Sequence, residues 1–301
     1  MNFNQIKYFV TAAETRSFTK TAAHYHISQT AVTQQIQTLE EDLGVELFDR
    51  TNRPISLTPA GKIFLVDAKA ILERINHSMN RVQEASVGFV GTLRIGYIKG
   101  YERSNLSNTL RAFHEQYPNV LITCYRCDTD TLASGLANGE YDVIFTWDST
   151  ELSKDAYTET HLIERSPIMV ALYNSHPLAR RTYLRRSELK NENILFMTHS
   201  RDADSAGDRY FFDLYHKAGY KPNILFRSND MESIFMMVAA EEGVSIMPHY
   251  VTAKLNNADN IVFVPMAGDD EKVEVIVAWS KEDRNPVLQR FTHFIEDTFL
   301  D

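Results

Sequence analysis

Between Thr58 and Ser86 the chain has no proline beyond Pro59 and no glycine beyond Gly61. Within that stretch Leu65, Ala68, Leu72, Ile75, Met79 and Val82 recur at alternating spacings of three and four. The repeat predicts one long helix with a heptad seam, suited to pairing with a second copy of the chain or to packing on the chain's own neighbouring domain. It also divides the sequence into a segment 1–58, a linker 59–90 and a long remainder 91–301. "SVGFVGT", with Gly88 and Gly91, is the candidate hinge into that remainder.

A chain of 301 residues is too long for one simple core, so two or three folding units are expected. With 44% hydrophobic and 24% charged residues the composition argues against disorder. The net charge of −9 is unevenly spread. Residues 1–90 hold nine basic and nine acidic side chains, and residues 91–301 hold 22 basic against 31 acidic. The acidity therefore belongs to the C-terminal part and leaves DNA binding by the N-terminal part open. No run approaches the roughly 20 apolar residues of a membrane helix, and the N-terminal residues lack a basic segment followed by a long apolar run. A cytoplasmic location without membrane contact is the expectation.

Two cysteines suit a reducing compartment. They stand as Cys124-Tyr125-Arg126-Cys127, but "NVLITCYRC" reads as a β-strand, on which residues three apart point to opposite faces. A redox pair would instead open a helix, whose N-terminus lowers the first thiol's pKa.

In the first segment Ile6, Phe9, Val10 and Ala13 form the apolar stripe of one helix. Ser17 can cap a second, short helix through Ala22 and Ala23. After a turn at "HYHI", Ser28 can cap a third. On that helix Val32, Ile36, Leu39 and Leu43 make a buried face, which leaves Gln29, Thr30, Thr33, Gln34 and Gln37 outward; Gly44 ends it. Two helices joined by a tight turn, the second with hydrogen-bonding side chains outward, describe a helix-turn-helix. Glutamine and threonine can pair with base edges in a major groove. "NRPISLT" then reads as a short hairpin with Asn52, Arg53 and Pro54 at its tip and Ile55 and Leu57 inward. Arg50 and Arg53 bracket the tip, as backbone-contacting residues of a wing would.

The stretch "SFTKTAAHYHISQTAVTQQIQTLEEDLGVELFDRTNRPISLTPAG" resembles the winged helix-turn-helix of LysR-type transcriptional regulators. The likeness rests on SFT-x-x-A-A, Ser28-Gln29, Ile36, Leu39-Glu40, Leu43-Gly44, Leu47-Phe48-x-Arg50 and Leu57-Thr58-x-Ala60-Gly61. It implies that Ser28, Gln29, Thr30, Thr33, Gln34 and Gln37 lie at the DNA, with Arg50 and Arg53 on its backbone. Two positions depart from the family's habit, which has proline at Thr30 and arginine at Gln34. Losing that cation should weaken phosphate attraction and flatten the salt dependence. The resemblance also implies a homodimer or homotetramer paired through the long helix, reading an interrupted inverted repeat and working with RNA polymerase.

In the remainder, strands "TLRIGYI", "NVLITCY", "YDVIFTW", "ILFMT", "ILFRS", "SIMP" and "VEVIVAW" alternate with helices, including Asn105 to Tyr117, Met231 to Glu242 and a last one through Phe291 and Phe294. That order predicts a mainly parallel α/β sheet. "LRIG", Tyr117-Pro118-x-Val120, Gly139-x-x-Asp142, "HPLA", Ala218-Gly219-x-x-Pro222 and "EEGVSIMP" resemble the LysR-type effector domain. The resemblance implies two α/β subdomains like those of periplasmic solute-binding proteins, the first about 91–162 and 268–301 and the second about 163–267. A small-molecule effector, often an organic acid in the family, would lie between them. Ligands in open α/β sheets bind at the C-terminal ends of strands. That places Lys99, Gly100, Tyr101, Asp128, Thr129, Thr146, Trp147, Thr198, Ser200, Arg201, Asn229 and Pro248 as effector-binding candidates. Lys99 and Arg201 suit an anion, Asp128 a cation, so the ligand's charge stays open.

A solute-binding protein or a thiol-based redox regulator are the competing readings. The first should carry an export signal and no recognition helix. The second, in the family's peroxide-sensing branch, uses cysteines of the second subdomain, where neither Cys124 nor Cys127 lies. No H-E-x-x-H, G-x-S-x-G or glycine-rich phosphate loop is present, so neither catalysis nor a metal or cofactor is expected.

Overall fold

The computed structural model describes residues 1–51, 54–86, 91–148, 152–198, 206–253, 255, 260–283 and 285–299. The chain divides into two compact units, residues 1–83 with 138–140, and residues 84–137 with 141–301.

The first unit opens with α1 (Phe3–Thr15), whose start is closed by a reciprocal box. Asn2 Oδ1 accepts from Gln5 N at 3.0 Å, and Gln5 Oε1 accepts from Asn2 N at 2.7 Å. Helix α2 (Phe18–Tyr25) is capped by Ser17, and α3 (Gln29–Leu43) by Ser28, whose Oγ accepts from Ala31 N at 3.1 Å. Between them His26 adopts a left-handed φ of 54°, which turns the chain sharply; Gly44 ends α3 at φ 70°. Strands β1 (Phe48–Asp49) and β2 (Ser56–Leu57) pair antiparallel as the base of the wing, with Phe48 opposite Leu57. Helix α4 (Pro59–Ser86) follows.

Phe9, Val32, Ile36 and Leu39 are fully buried, and the Phe9 ring lies 5.4 Å from Phe48 and 5.1 Å from Phe64. Two expected core positions differ. Leu43 is 37% exposed, because the last turn of α3 runs past the core, and Ala12 takes the fully buried place expected for Ala13. The long helix also differs in part. Ala68 is fully buried in this unit's own core and Leu65 and Leu72 pack against it, so the first half of the expected dimer seam is occupied within one chain. Ile75 is half-buried and Met79 exposed; the side chain of Val82 lies outside the described residues. Ile63 and Val66, 70% and 61% exposed, instead carry the outward apolar face of α4.

In the second unit, β3 (Gly91–Ile98), α5 (Leu106–Gln116), β4 (Val120–Cys127), α6 (Thr129–Ala137) and β5 (Val143–Trp147) form a strand–helix alternation. A 16-residue strand, β6 (Thr158–Tyr173), leads to β7 (Asn193–Met197), α7 (Ala206–Lys217), β8 (Asn223–Ser228), α8 (Met231–Ala239), β9 (Ser245–Pro248), α9 (His249–Thr252) and β10 (Ile261–Pro265). The chain returns through β11 (Lys272–Ser280) and ends in α10 (Pro286–Phe299).

The main sheet runs β10-β6-β11-β5-β3-β4, with β9 also on β6. It is mixed rather than mainly parallel. β3 is parallel to β4 and β5, but β11 is antiparallel to β5 and β6, and β6 is antiparallel to β9 and β10. The separate pair β7-β8 is parallel. Strand β6 has two sets of partners: it pairs with β11 through Pro167 and with β9 from Ile168 onward. Ile168 N donates to Glu271 O and its carbonyl accepts from Met266 N, both at 2.9 Å, so β6 changes partners at 167/168.

Candidate nucleic-acid interface and effector cleft

Helix α3 has two sharply different faces. Val32, Ile36 and Leu39 are fully buried, whereas Gln29, Thr30, Gln34 and Gln37 are exposed and Thr33 half-exposed. The helix carries no lysine or arginine. Ser28 spends its lone pair on the cap and Thr33 donates to Gln29 O at 3.0 Å, so the free amides belong to the glutamines. Thr19 on α2, which the sequence did not single out, donates from Oγ1 to Gln29 Oε1 at 3.0 Å.

Arg50 has a different main partner from the one expected. Its Nη2 lies 2.5 Å from Glu40 Oε2, and its guanidinium sits 5.8 Å from the Phe18 ring centre. Glu40 is buried, and its Oε1 accepts from Leu47 N at 2.8 Å and Phe48 N at 3.1 Å. Arg50 therefore ties the base of the wing to α3, with only 37% of its side chain left exposed. Asp49 accepts from the amide and hydroxyl of Thr51, which lowers its pKa below the usual 3.8. Arg53 lies outside the described residues.

At the strand ends of the second unit, Lys99 Nζ lies 2.8 Å from Asp128 Oδ1, so these two expected ligand groups neutralise each other. Trp147 Nε1 donates to Tyr250 Oη at 2.8 Å. Thr198 donates to Asp208 Oδ2 at 2.6 Å. Lys99, Asp128, Thr129, Trp147, Thr198 and Tyr250 surround a hollow of about 20 Å³, room for roughly one water.

Five other candidates do not line that hollow. Tyr101 is only 2% exposed, with its ring centre 5.9 Å from Phe145 and 5.3 Å from Tyr250, so it packs as core. Burial raises the pKa of both tyrosines well above the usual range. Gly100, at φ 89°, lets the backbone pass Val251, whose Cγ2 would lie 2.8 Å from an added Cβ. Thr146 and Pro248 are buried in strands, and Asn229 is half-exposed outside the hollow. Ser200 and Arg201 lie outside the described residues.

A larger cleft of about 590 Å³ opens beyond Thr129 and Trp147, within the range that holds a small molecule. Its far wall is α7 and the segment 269–274. A buried fork steadies that wall: Arg186 Nε and Nη2 donate to Glu271 at 2.9 and 2.6 Å. Arg103 ties the two subdomains together on another side, with Nη1 donating to Val251 O at 3.2 Å and Nη2 to Glu232 Oε1 at 2.5 Å.

Residues 3–62 match the model of the bacterial regulatory helix-turn-helix protein, lysR family, and residues 87–300 match the LysR substrate binding domain. The chain belongs to the LysR family of transcriptional regulators. It is 30% identical over 294 residues to the uncharacterized regulator YnfL of Escherichia coli, covering 97% of this chain and 96% of that one. It is 27% identical over 295 residues to the regulator AlsR of Bacillus subtilis, covering 97% and 95%. Among solved structures the LysR family regulator CbnR superposes with a TM-score of 0.78 at 28% identity, over 100% of both chains. Full-length CbnR complexed with its target DNA gives 0.75 at 29% identity, over 99% of both.

A LysR-type regulator is a DNA-binding transcription factor with an effector-binding domain, not an enzyme. The described residues hold no group of three or more histidine, cysteine or acidic side chains placed to bind a metal. No helix among them is long and apolar enough to cross a membrane. Both cysteines are free on β4, and desolvation raises the Cys124 thiol, the opposite of what a reactive thiolate needs.

Proposed function

We propose that this regulator works in the cytoplasm as a homodimer, or a pair of dimers, on an interrupted inverted repeat, with the outer face of α3 in successive major grooves. Gln29, Thr30, Gln34 and Gln37 read base edges, Thr33 and Ser28 hold the helix's first turns, and Arg53 contacts the backbone from the wing. Arg50 adds at most a secondary phosphate contact, because Glu40 already takes its charge. The observation that carries the reading is the two-faced α3, fully buried at Val32, Ile36 and Leu39 and, from Gln29 to Thr38, without a charged side chain. The likeness to a relative solved on its target DNA supports it.

Dimerisation uses the outward face of α4, where Ile63, Val66 and the half-exposed Ala70 stand at i, i+3 and i+7. Sedimentation velocity tests it. Ile63→Asp combined with Val66→Asp, both at exposed positions, should give folded monomer and lose at least tenfold in DNA affinity. An unchanged dimer would remove this face from the interface.

A small-molecule effector binds between the subdomains of the second unit. It acts by preferring one of their relative arrangements, since only a difference in affinity can shift such an equilibrium. Lys99, Asp128, Thr129, Trp147 and Thr198 are the strand-end residues nearest to it.

A further inference from the structure

Gln29 is the one glutamine of α3 whose side chain has a hydrogen-bond partner among the described residues. Its Oε1 accepts from Thr19 Oγ1 at 3.0 Å, across the turn from α2. The placement of Thr19 accounts for the bond. Thr21, Thr33 and Thr38 each donate to the carbonyl four residues back, which occupies their hydroxyls locally. Thr19 is the second residue of α2, so the carbonyl four back belongs to α1, before the Ser17 cap. Its hydroxyl turns to α3 instead.

The frame behind this bond is stiff. His26 turns the chain at φ 54°, Ile27 N donates to Ala22 O at 3.0 Å, and Ala22 and Val32 share one buried core. Threonine itself has few rotamers in a helix. A long, flexible glutamine is thereby held in one pose before DNA arrives, which lowers the entropy lost on binding.

The pose also chooses an end of the amide. With the oxygen held toward α2, the Nε2 donor, which has no partner among the described residues, is the group left to meet a base. In the major groove guanine and thymine show only acceptors, whereas adenine and cytosine carry an exocyclic donor. The two-ended pairing of glutamine with adenine needs the amide oxygen as well, to accept from N6.

We propose that Thr19 is a positioning residue that sets base specificity: by holding Gln29 Oε1, it makes this glutamine read guanine or thymine and reject adenine. This rests on the reading of α3 as the helix that meets base edges.

The test is selection of binding sites by full-length protein from duplexes randomised over both half-sites and their spacer. Gln29→Ala identifies the position that Gln29 reads, as the one whose preference disappears. There the unsubstituted protein should select guanine or thymine. Thr19→Val, a change of like shape at an exposed position, should lower that preference about fivefold by admitting adenine, the equivalent of one hydrogen bond, and leave the other positions alone. Thr19→Ser, which keeps the hydroxyl, should retain it. Adenine or cytosine already selected there by the unsubstituted protein would overturn the proposal and leave Gln29 a base reader. So would a preference that Thr19→Val leaves intact, or a loss spread evenly over all positions. If no position responds to Gln29→Ala, both the base-reading assignment of Gln29 and the proposal fall.

Discussion

Arg50 and Glu40 form an ion pair at 2.5 Å across the junction of recognition helix and wing. The carboxylate also accepts the Leu47 and Phe48 amides, so one buried side chain fixes where the wing leaves the helix. Glu40→Ala would orphan two amides in the core and leave Arg50 without its partner. Unmatched buried donors cost about 1–3 kcal/mol each, discounted here because Arg50 is partly exposed. We expect about 2 kcal/mol in total, read as roughly 30-fold faster hydrogen exchange at those two amides. Unchanged exchange would show that other contacts hold the wing.

Gly61, in the first turn of α4, lies against Leu47. A Cβ built there overlaps the Leu47 carbonyl oxygen, and backbone cannot move aside as a flexible side chain can. Gly61→Ala should therefore destabilise the first unit by about 1–3 kcal/mol, although alanine is ordinarily the better helix former. Urea unfolding followed by helical circular dichroism measures it, and a stabilised variant would contradict the packing.

The outer face of α3, without a charged side chain from Gln29 to Thr38, makes two predictions about DNA. Gln29→Ala should cost about 1–3 kcal/mol on the cognate site and much less on random sequence, because base contacts specify. Gln34→Arg should strengthen binding to all DNA and steepen the salt slope by about one. Binding isotherms across a salt series decide both; equal losses for Gln29→Ala on the two DNAs would remove it as a base reader.

Tyr250 holds the Trp147 indole from the other subdomain at 2.8 Å. Tyr250→Phe removes that buried hydrogen bond, at a cost of about 1 kcal/mol to the arrangement it holds. In the Trp279→Phe background the Trp147 emission maximum should shift to longer wavelength as the cleft opens. An unmoved maximum would mean that the bond does not govern the cleft.

Asp49 and Asp230 supply the pH dependence of two turns. Both carboxyls titrate below 3.8, Asp49 through Thr51 and Asp230 through its bonds to the Ser233 hydroxyl and amide at the start of α8. A depressed folded-state pKa means stabilisation that is full above 3.8 and lost as pH falls through the folded value. Carboxyl chemical shifts followed by NMR should give midpoints under 3.8 for both. A midpoint at or above it would contradict these turns.

Much of this was legible in the sequence. Most of the apolar spacing of α1 and α3 (Ala13 and Leu43 apart), the caps Ser17, Ser28 and Gly44, and most strands of the second unit stand where they were read. Three parts were hidden for physical reasons. Charged residues and Pro167 interrupt the apolar run of β6, which masks a 16-residue strand that turns a parallel pattern into a mixed sheet. A heptad seam does not say which partner it meets, and Ala68 meets its own domain. Lys99 and Asp128, picked out as ligand groups, are paired because parallel β3 and β4 end side by side. Phe211, Leu214 and Tyr215 on α7 did carry a helical signal, at i, i+3 and i+4, that points to the wall of the wide cleft.

The most direct test of the account is a footprint of the purified protein on DNA from just upstream of its own gene, against scrambled DNA of equal length, over a salt series. The account predicts a preference for the upstream fragment, protection in two lobes spaced by whole helical turns, and a shallow salt slope. Equal binding to both DNAs at every salt concentration, or a single protected lobe, would contradict it.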